Sequence, residues 1–222
     1  MAVVFRQAIM IQFGIAIGEL IVRVLTDAKR DAIIDAAAQV FQEEGFEAAS
    51  MAAIAARVGG SKSTLYRYYN SKEALFVAVS SKAAKSQLLP SLEKLLATED
   101  KDLSTVLTAF GKATLSVVAS EAMIKTLRTV ISESGRSDIG MLFHEAGPRI
   151  AFKLLADFFS VRMDAGSMRR ADPDIATRHL IALFDSETVF PRLMGIREAL
   201  TADEIESAVQ RAVETFVRGY SV

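Results

Sequence analysis

Apolar residues recur at steps of three and four positions along almost the whole chain after Thr26, with polar and charged residues between them. That spacing collects the apolar side chains on one face of an α-helix, whereas a half-buried strand would need strict alternation. Strand-like alternation bounded by turn residues is nearly absent. The pattern therefore predicts an all-α fold.

The first predicted helix begins at Thr26 or Asp27, whose side chains can cap free backbone N–H groups. It is expected to end at Glu44, because Gly45 can adopt the left-handed conformation that terminates a helix. Its inner face carries Ile33, Ile34, Ala37, Ala38 and Phe41.

Two short helices with a tight turn between them are predicted next. Ser50 and Ser61 are their N-caps, and the pair Gly59-Gly60 forms the turn. A fourth, longer helix begins after Ser71 and continues toward Pro90. Two short helices flanked by longer ones are typical of a helix-turn-helix that reads DNA.

Beyond Pro90 the same periodicity continues without an internal repeat or a low-complexity linker. Pro148 is expected to begin or kink a helix, and Thr201 with Glu204 three residues later forms a capping box. Helices are predicted at about 91–97, 102–119, 121–134, 139–164, 172–191 and 202–219.

Basic residues are concentrated in the segment from Ser50 to Lys72, which contains no Asp or Glu although the whole chain has a net charge of -1. Such local positive charge favours contact with DNA phosphates, while short polar side chains and Lys or Arg can read base edges in the major groove. A solvated basic face with ordinary helix caps is the alternative interpretation. The basic residues are Arg57, Lys62, Arg67 and Lys72.

Residues 28–79 carry many features in register that resemble the N-terminal DNA-binding domain of the TetR family of regulators. The resemblance implies a three-helix DNA-binding domain, a larger helical domain that binds a ligand and dimerises, and repression that the ligand relieves. The matching features are Ala36-Ala37, Phe41, Gly45-Phe46, Ile54-Ala55, Gly59, Ser61-Lys62, Thr64-Leu65-Tyr66, Tyr69, and Ser71-Lys72-Glu73 before Leu75.

Roles for single residues follow from this resemblance. It implies that Ser50 and Thr64 meet phosphate, Lys62 and Ser63 probe the major groove, Tyr66 holds the backbone, and Lys72 anchors the DNA at the fourth helix. The chain departs from the family at Gly60, where Val is usual, so looser packing between the two short helices is expected. The complete set of predicted DNA-binding residues is Ser50, Met51, Ser61, Lys62, Ser63, Thr64, Tyr66, Arg67, Tyr68 and Lys72.

Aromatic and other apolar residues at near-helical spacing in the C-terminal part are predicted to form either plain core or the walls of a ligand cavity. A few polar groups would orient a ligand there. The candidate pocket residues are Met123, Leu127, Arg128, Phe143, His144, Phe152, Phe159, Phe184 and Asp185.

The last two predicted helices carry apolar stripes that could pack on their own chain. The resemblance implies instead that this pair forms a four-helix bundle across a twofold axis. The candidate interface residues are Leu180, Ile181, Phe184, Ile205, Val209, Val213, Phe216 and Val217.

The composition argues against several other classes of protein. The 222 residues include no Cys and two His, without the spacing of a metal site, so no metal and no cofactor are expected. Paired carboxylates in a cleft, a Gly-rich phosphate loop and a nucleophile elbow are not found, which disfavours an enzyme. No membrane insertion is expected, and a cytoplasmic location fits the absence of Cys.

The predicted domains are an apolar N-terminal extension of uncertain status (1–25), a DNA-binding domain (26–72, with the helix-turn-helix at about 50–69) and a ligand-binding and dimerisation domain (73–222). The predicted function is that of a homodimeric transcription regulator on a near-palindromic operator, a repressor released by a small apolar or amphipathic molecule. The alternative is a helical dimeric interaction or sensor module that no longer binds DNA.

Overall fold

The computed structural model describes residues 27–96 and 102–222, and every regular element in them is an α-helix. The predicted all-α fold is confirmed. Residues 27–48 are the described part of the first helix, α1. The others are α2 (Met51–Val58), α3 (Lys62–Tyr66), α4 (Lys72–Leu96), α5 (Leu103–Val118), α6 (Glu121–Glu133), α7 (Ile139–Ala146), α8 (Pro148–Asp164), α9 (Pro173–Glu187), α10 (Val189–Leu193) and α11 (Ala202–Tyr220).

The chain divides into two compact units, one extending to Val79 and the other comprising Ser80–Val222. The division lies inside α4, whereas the domain boundary predicted from the sequence, between residues 72 and 73, lies at the start of that helix. Each unit has a hydrophobic core of its own.

The N-terminal unit packs α1, α2, α3 and the beginning of α4 around one small core. At the end of α1, Gly45 has a φ of +78°, as predicted, but residues 46–48 form one further helical turn beyond it. Three phenylalanine rings join this end of α1 to α4: Phe76 lies 5.3 Å from Phe41 and 5.0 Å from Phe46 between ring centroids. The buried core residues are Ile33, Ala37, Val40, Ala49, Met51, Ile54, Ala55, Leu65 and Leu75.

Helix α5 lies inside the C-terminal unit, where it packs against α11, and α9 packs against both α11 and α8. Gly111 on α5 allows a close approach, since a β-carbon at this position would lie 2.7 Å from Cζ of Phe184 and 2.9 Å from Cγ1 of Val209. Phe184 and Val209 are themselves fully buried. The three helices therefore meet at a point where any side chain larger than hydrogen would collide with its neighbours.

Most of the remaining helix ends agree with the predictions to within a few residues. Helix α4 continues through Pro90, because Leu92 and Leu95 beyond the proline are buried in the core of the C-terminal unit and hold the last turns in place. The helix predicted over 172–191 is instead broken at Thr188, which separates α9 from α10. Pro148 begins α8, one of the two outcomes predicted for it, so the helix predicted over 139–164 is divided into α7 and α8. The capping box of Thr201 is confirmed.

The apolar extension predicted for residues 1–25 lies outside the described residues. Of the described helices, none is by itself long and apolar enough to cross a bilayer. Within residues 27–96 and 102–222, α5 and α6 together are long and apolar enough, but they are bent by 68° relative to each other.

Replacing Gly111 with Ala is expected to lower the free energy of unfolding by about 1–3 kcal/mol, because the new methyl group overpacks the contact with Phe184 and Val209. Gly219→Ala is the matched control, since a β-carbon at that helical position meets nothing within 4 Å. The control is expected to be neutral or slightly stabilising. Urea denaturation measures both, and equal stability of the two variants would contradict the close approach.

Candidate nucleic-acid interface

Helices α2 and α3 each begin at a serine N-cap, and a left-handed glycine ends α2. The Ser50 side chain accepts a hydrogen bond from the Ala53 amide at 3.1 Å, and Gly59, with a φ of +70°, ends α2 in the left-handed conformation. At the start of α3, Oγ of Ser61 accepts from the Thr64 amide at 3.0 Å and lies 2.9 Å from the Thr64 hydroxyl. Both predicted N-caps are confirmed.

Helix α3 presents one face to the core and the other to solvent. Leu65 is 2% exposed, and Tyr68 and Tyr69 are half-buried against the same core. Met51 is also buried, so its side chain does not face a DNA ligand as the sequence analysis expected. The residues left exposed at α3 are Lys62, Ser63, Tyr66 and Arg67.

Not all of the basic residues in this segment are free to bind DNA. Arg57 donates two hydrogen bonds to the Glu43 carboxylate, at 2.6 and 2.7 Å, and these bonds lower the pKa of Glu43. Lys72 is hydrogen-bonded to backbone carbonyls of its own unit. Lys62 and Arg67 have no carboxylate partner within residues 27–96 and 102–222. The accessible positive charge is therefore at and just after α3.

Gly60 lies beside open space, and the looser packing expected there stays a prediction. A β-carbon at this position would meet nothing within 4 Å, and Val58 already packs against the core of the N-terminal unit. A side chain at residue 60 would therefore begin in open space and not between the two short helices.

Two family models together match nearly all of the described chain. The model for the C-terminal domain of AefR-like transcriptional repressors matches residues 105–222, and the model for bacterial regulatory proteins of the tetR family matches residues 33–79. The chain belongs to the TetR family of transcriptional regulators. Its family and fold are those of regulators, as the sequence resemblance implied, and not those of enzymes.

Individual relatives agree with this assignment. The flavonoid-responsive regulator FrrA is 32% identical, with a TM-score of 0.71, and the match covers 88% of this chain and 98% of FrrA. A TetR-family protein from Mesorhizobium loti has the same fold, with a TM-score of 0.76 at 24% identity over 88% of this chain and 98% of its own. The activator FasR of Mycolicibacterium smegmatis is 42% identical over 57 residues, so this chain spans only 26% of the curated relative.

The predicted pocket residues of this TetR-family chain do not share one environment. Phe159 and Phe184 are fully buried in the core, where Phe159 stacks on Phe216 at 5.2 Å, whereas His144 is exposed. Arg128 donates hydrogen bonds to the carbonyl oxygens of Leu193 and Arg192 and thereby caps α10. The remaining candidates, namely Met123, Leu127, Phe143, Phe152 and Asp185, are half-buried.

The structure shows a cleft of about 300 Å³ elsewhere in the C-terminal unit, and none of the predicted pocket residues lines it. Its walls come from the end of α9, the loop before α11 and the first turns of α11. The lining residues are Glu187, Thr188, Arg197, Leu200, Asp203, Glu204, Ser207, Ala208 and Arg211.

The sequence analysis missed two residues on which the packing of this unit depends. Arg192 is 3% exposed and donates to the carbonyl oxygen of Ala119 and, at 2.8 Å, to the Glu121 carboxylate. No local pattern indicates that an arginine in a short apolar segment is buried. Gly111 could have been found, because an isolated glycine inside a helical pattern usually has a packing reason.

Most of the predicted interface residues are already covered by their own chain. Leu180, Phe184, Val209, Val213 and Phe216 are at most 2% exposed, so they have no surface left to bury against a second copy. Their place in the core corrects the prediction that they form the interface. The candidates that keep some exposed surface are Ile181, Ile205 and Val217.

Burial raises the pKa of Asp185 from 3.8 to about 6. The folded protein therefore holds this proton more tightly than the unfolded chain, and its stability falls as the pH rises from about 4 to above 6. Asp185→Asn is expected to raise the free energy of unfolding by about 2 kcal/mol at pH 7.5 and to change it little at pH 4. Urea denaturation at both pH values measures the difference, and an equal gain at both would exclude the charge as its cause.

Proposed function

We propose that this chain is a homodimeric repressor that binds a near-palindromic operator through α3 and leaves it when a small apolar or amphipathic molecule binds the C-terminal unit. The observation that carries the proposal is the exposed face of α3, where Lys62, Ser63, Tyr66 and Arg67 project from a helix that is anchored on its other side by buried Leu65. A helix held in this way can enter the major groove as a rigid element.

We favour repression over activation because the comparison with repressors and the comparison with an activator cover different parts of the chain. The family model for the C-terminal domain of AefR-like transcriptional repressors matches residues 105–222, the part that would sense a ligand. The match to the activator FasR covers only 57 residues. DNA-binding segments are shared by regulators of both kinds, so the C-terminal match is the better guide.

The ligand class is proposed from relatives and from the apolar character of the C-terminal unit. FrrA is described as flavonoid-responsive, and a FadR of Bacillus subtilis with the same fold, at 17% identity, binds stearoyl-CoA. Flavonoids are therefore the first compounds to test, followed by long-chain acyl thioesters.

The dimer is proposed to form through the outward face of α9. Ile175, near the start of α9, is 46% exposed, and Phe190, near the start of α10, is 58% exposed. The small exposed residue Ala182 lies between them in the sequence. Small residues allow two helices to approach closely, and apolar residues at the ends of such a face gain from being covered. Two copies of α3 that read one near-palindromic operator would lie about 34 Å apart, one turn of DNA.

The DNA-binding proposal is tested by selecting an operator from random sequences and measuring its affinity at several salt concentrations. Lys62→Met is expected to weaken binding and to reduce the slope of log K against log salt by about 2 per dimer, because each subunit loses one cation that neutralises a DNA phosphate. Lys153→Met, which removes an exposed cation from α8, is the control and should leave the slope unchanged.

In the same assay, Tyr66→Phe removes the hydroxyl of this exposed ring and keeps its apolar surface. The comparison with the wild type gives the contribution of the hydroxyl to DNA binding. If the wild-type protein enriches no sequence while remaining folded, the DNA-binding proposal is wrong and the alternative of an interaction module applies. Release of the operator by a flavonoid, measured as loss of anisotropy, is expected only if the repressor proposal holds.

The dimer is tested by Ala182→Arg, which is expected to convert it to a monomer in sedimentation or light-scattering measurements, because two buried guanidinium groups would face each other across the axis. Val161→Arg is the control, since Val161 is 68% exposed on α8. A dimer that survives Ala182→Arg but not the control would place the interface on α8.

A further inference from the structure

The imidazole of His179, on α9, is held against the last turn of α11. Its Nδ1 atom forms a hydrogen bond with the hydroxyl group of Tyr220, with 2.7 Å between the two atoms. Tyr220 is itself buried, stacks on Phe216 with 4.6 Å between ring centroids, and accepts a hydrogen bond from the Arg169 amide at its carbonyl oxygen. The chain therefore fixes the His179 ring at Nδ1, and no group in the described part of the chain bonds to Nε2.

His179 lies on the outward face of α9, the face proposed to form the dimer. Successive residues of an α-helix are turned by about 100°, so Ile175, His179 and Ala182 lie within about 60° of one another around the axis of α9. All three are exposed in the single chain. An isologous interface packs such a face against its own copy. A dimer with Ala182 close to its twofold axis would therefore cover the His179 rings of both subunits.

The surroundings of His179 supply positive charge and no counter-ion. The guanidinium group of Arg169 lies 5.6 Å from the centroid of the Tyr220 ring, and Arg178 directly precedes His179. Asp174 and Asp185 lie on other sides of α9, more than about 100° away around its axis.

Many ionisable side chains of α9 and of the helices packed near it are engaged in ion pairs, and none of the pairs between described residues includes His179. These pairs are Lys153–Asp157 on α8, Arg170–Asp164 after α8, Arg192–Glu121 between α10 and α6, Lys112–Glu206 between α5 and α11, Arg197–Glu204 at the start of α11, Arg211–Glu187 between α11 and α9, and Arg218–Glu214 on α11. An imidazolium at residue 179 would thus add an unpaired positive charge to the face.

We propose that the dimer forms through α9 only while His179 is uncharged, so that mild acidification converts the dimer to monomers and weakens its hold on the operator. This inference rests on the proposed dimer. A ring covered by a second copy loses contact with water, which disfavours its charged form, and two imidazolium groups near one axis repel each other. The dimer therefore binds fewer protons than two free subunits. Lowering the pH through the range in which histidine gains its charge shifts the equilibrium toward monomers.

The dissociation constant of the dimer, measured by sedimentation of the full chain at pH 7.5 and pH 5.5, tests the proposal. It is expected to rise by roughly tenfold or more at the lower pH in the wild type. His179→Gln is expected to give the same constant at both pH values, because its amide can bond to the Tyr220 hydroxyl but cannot become charged. His144→Gln is the matched control and should respond as the wild type does, since His144 is the other histidine of the chain and is exposed on α7.

Asp185 also changes its charge in this range, because burial raises its pKa to about 6. The folded subunit holds this proton more tightly than the unfolded chain, so the group stabilises the fold more at pH 5.5 than at pH 7.5. Unfolding caused by Asp185 would therefore not explain dissociation in acid. Asp185→Asn is expected to keep the pH response of the dimer, and its loss in this variant would overturn the inference.

Calorimetry of dimer dilution at pH 6.5, in buffers with different heats of ionisation, counts the protons taken up on dissociation and needs no His179 variant. The wild type and Asp185→Asn are both expected to take up protons. Zero uptake, a wild-type dimer equally stable at pH 7.5 and pH 5.5, or a pH response that persists in His179→Gln would overturn this inference and leave the proposed dimer standing. A wild type that is monomeric at pH 7.5 would overturn the proposed dimer, and this inference with it.

Discussion

A helix as short as α3 is not stable by its own hydrogen bonds, and this constraint shapes the whole N-terminal unit. Its five residues form barely more than one turn, far below the length at which an isolated helix persists in water. The helix exists because Ser61 caps its start and Leu65 is inserted into a core built by α1, α2 and α4. The residues proposed to read DNA are thus held by packing on the opposite face.

The same dependence on distant contacts determines where positive charge is available. Arg57 and Lys72 carry the same positive charge as Lys62 and Arg67. The Glu43 carboxylate binds Arg57, and three backbone carbonyl oxygens bind Lys72. A charge neutralised by its own chain contributes less to phosphate binding than a free one. The interface that we propose is consequently smaller than the basic segment in the sequence, and it is centred on α3.

In the C-terminal unit the corresponding constraint is the close approach of α5 to α9 and α11 at Gly111. The buried side chains of Phe184 and Val209 fill the space beside this glycine. Several residues that were predicted to line a pocket or an interface belong to the core of this unit. An apolar stripe on a helix has the same spacing whether it packs on its own chain, on a ligand or on a second copy, so the spacing does not distinguish these cases. The dimer proposed above uses the outward face of α9, where Ile175 and Ala182 stay exposed.

The sequence by itself determined the helical class, most helix bounds, the caps at Ser50, Ser61 and Thr201, and the helix-turn-helix. These features depend on residues within one or two turns of each other, so local spacing suffices to predict them. Tertiary structure decided what depends on residues far apart: the pairing of Arg57 with Glu43, the enclosure of Lys72, the burial of Arg192 and the continuation of α4 through Pro90. Each of these arises from a partner that no local pattern identifies.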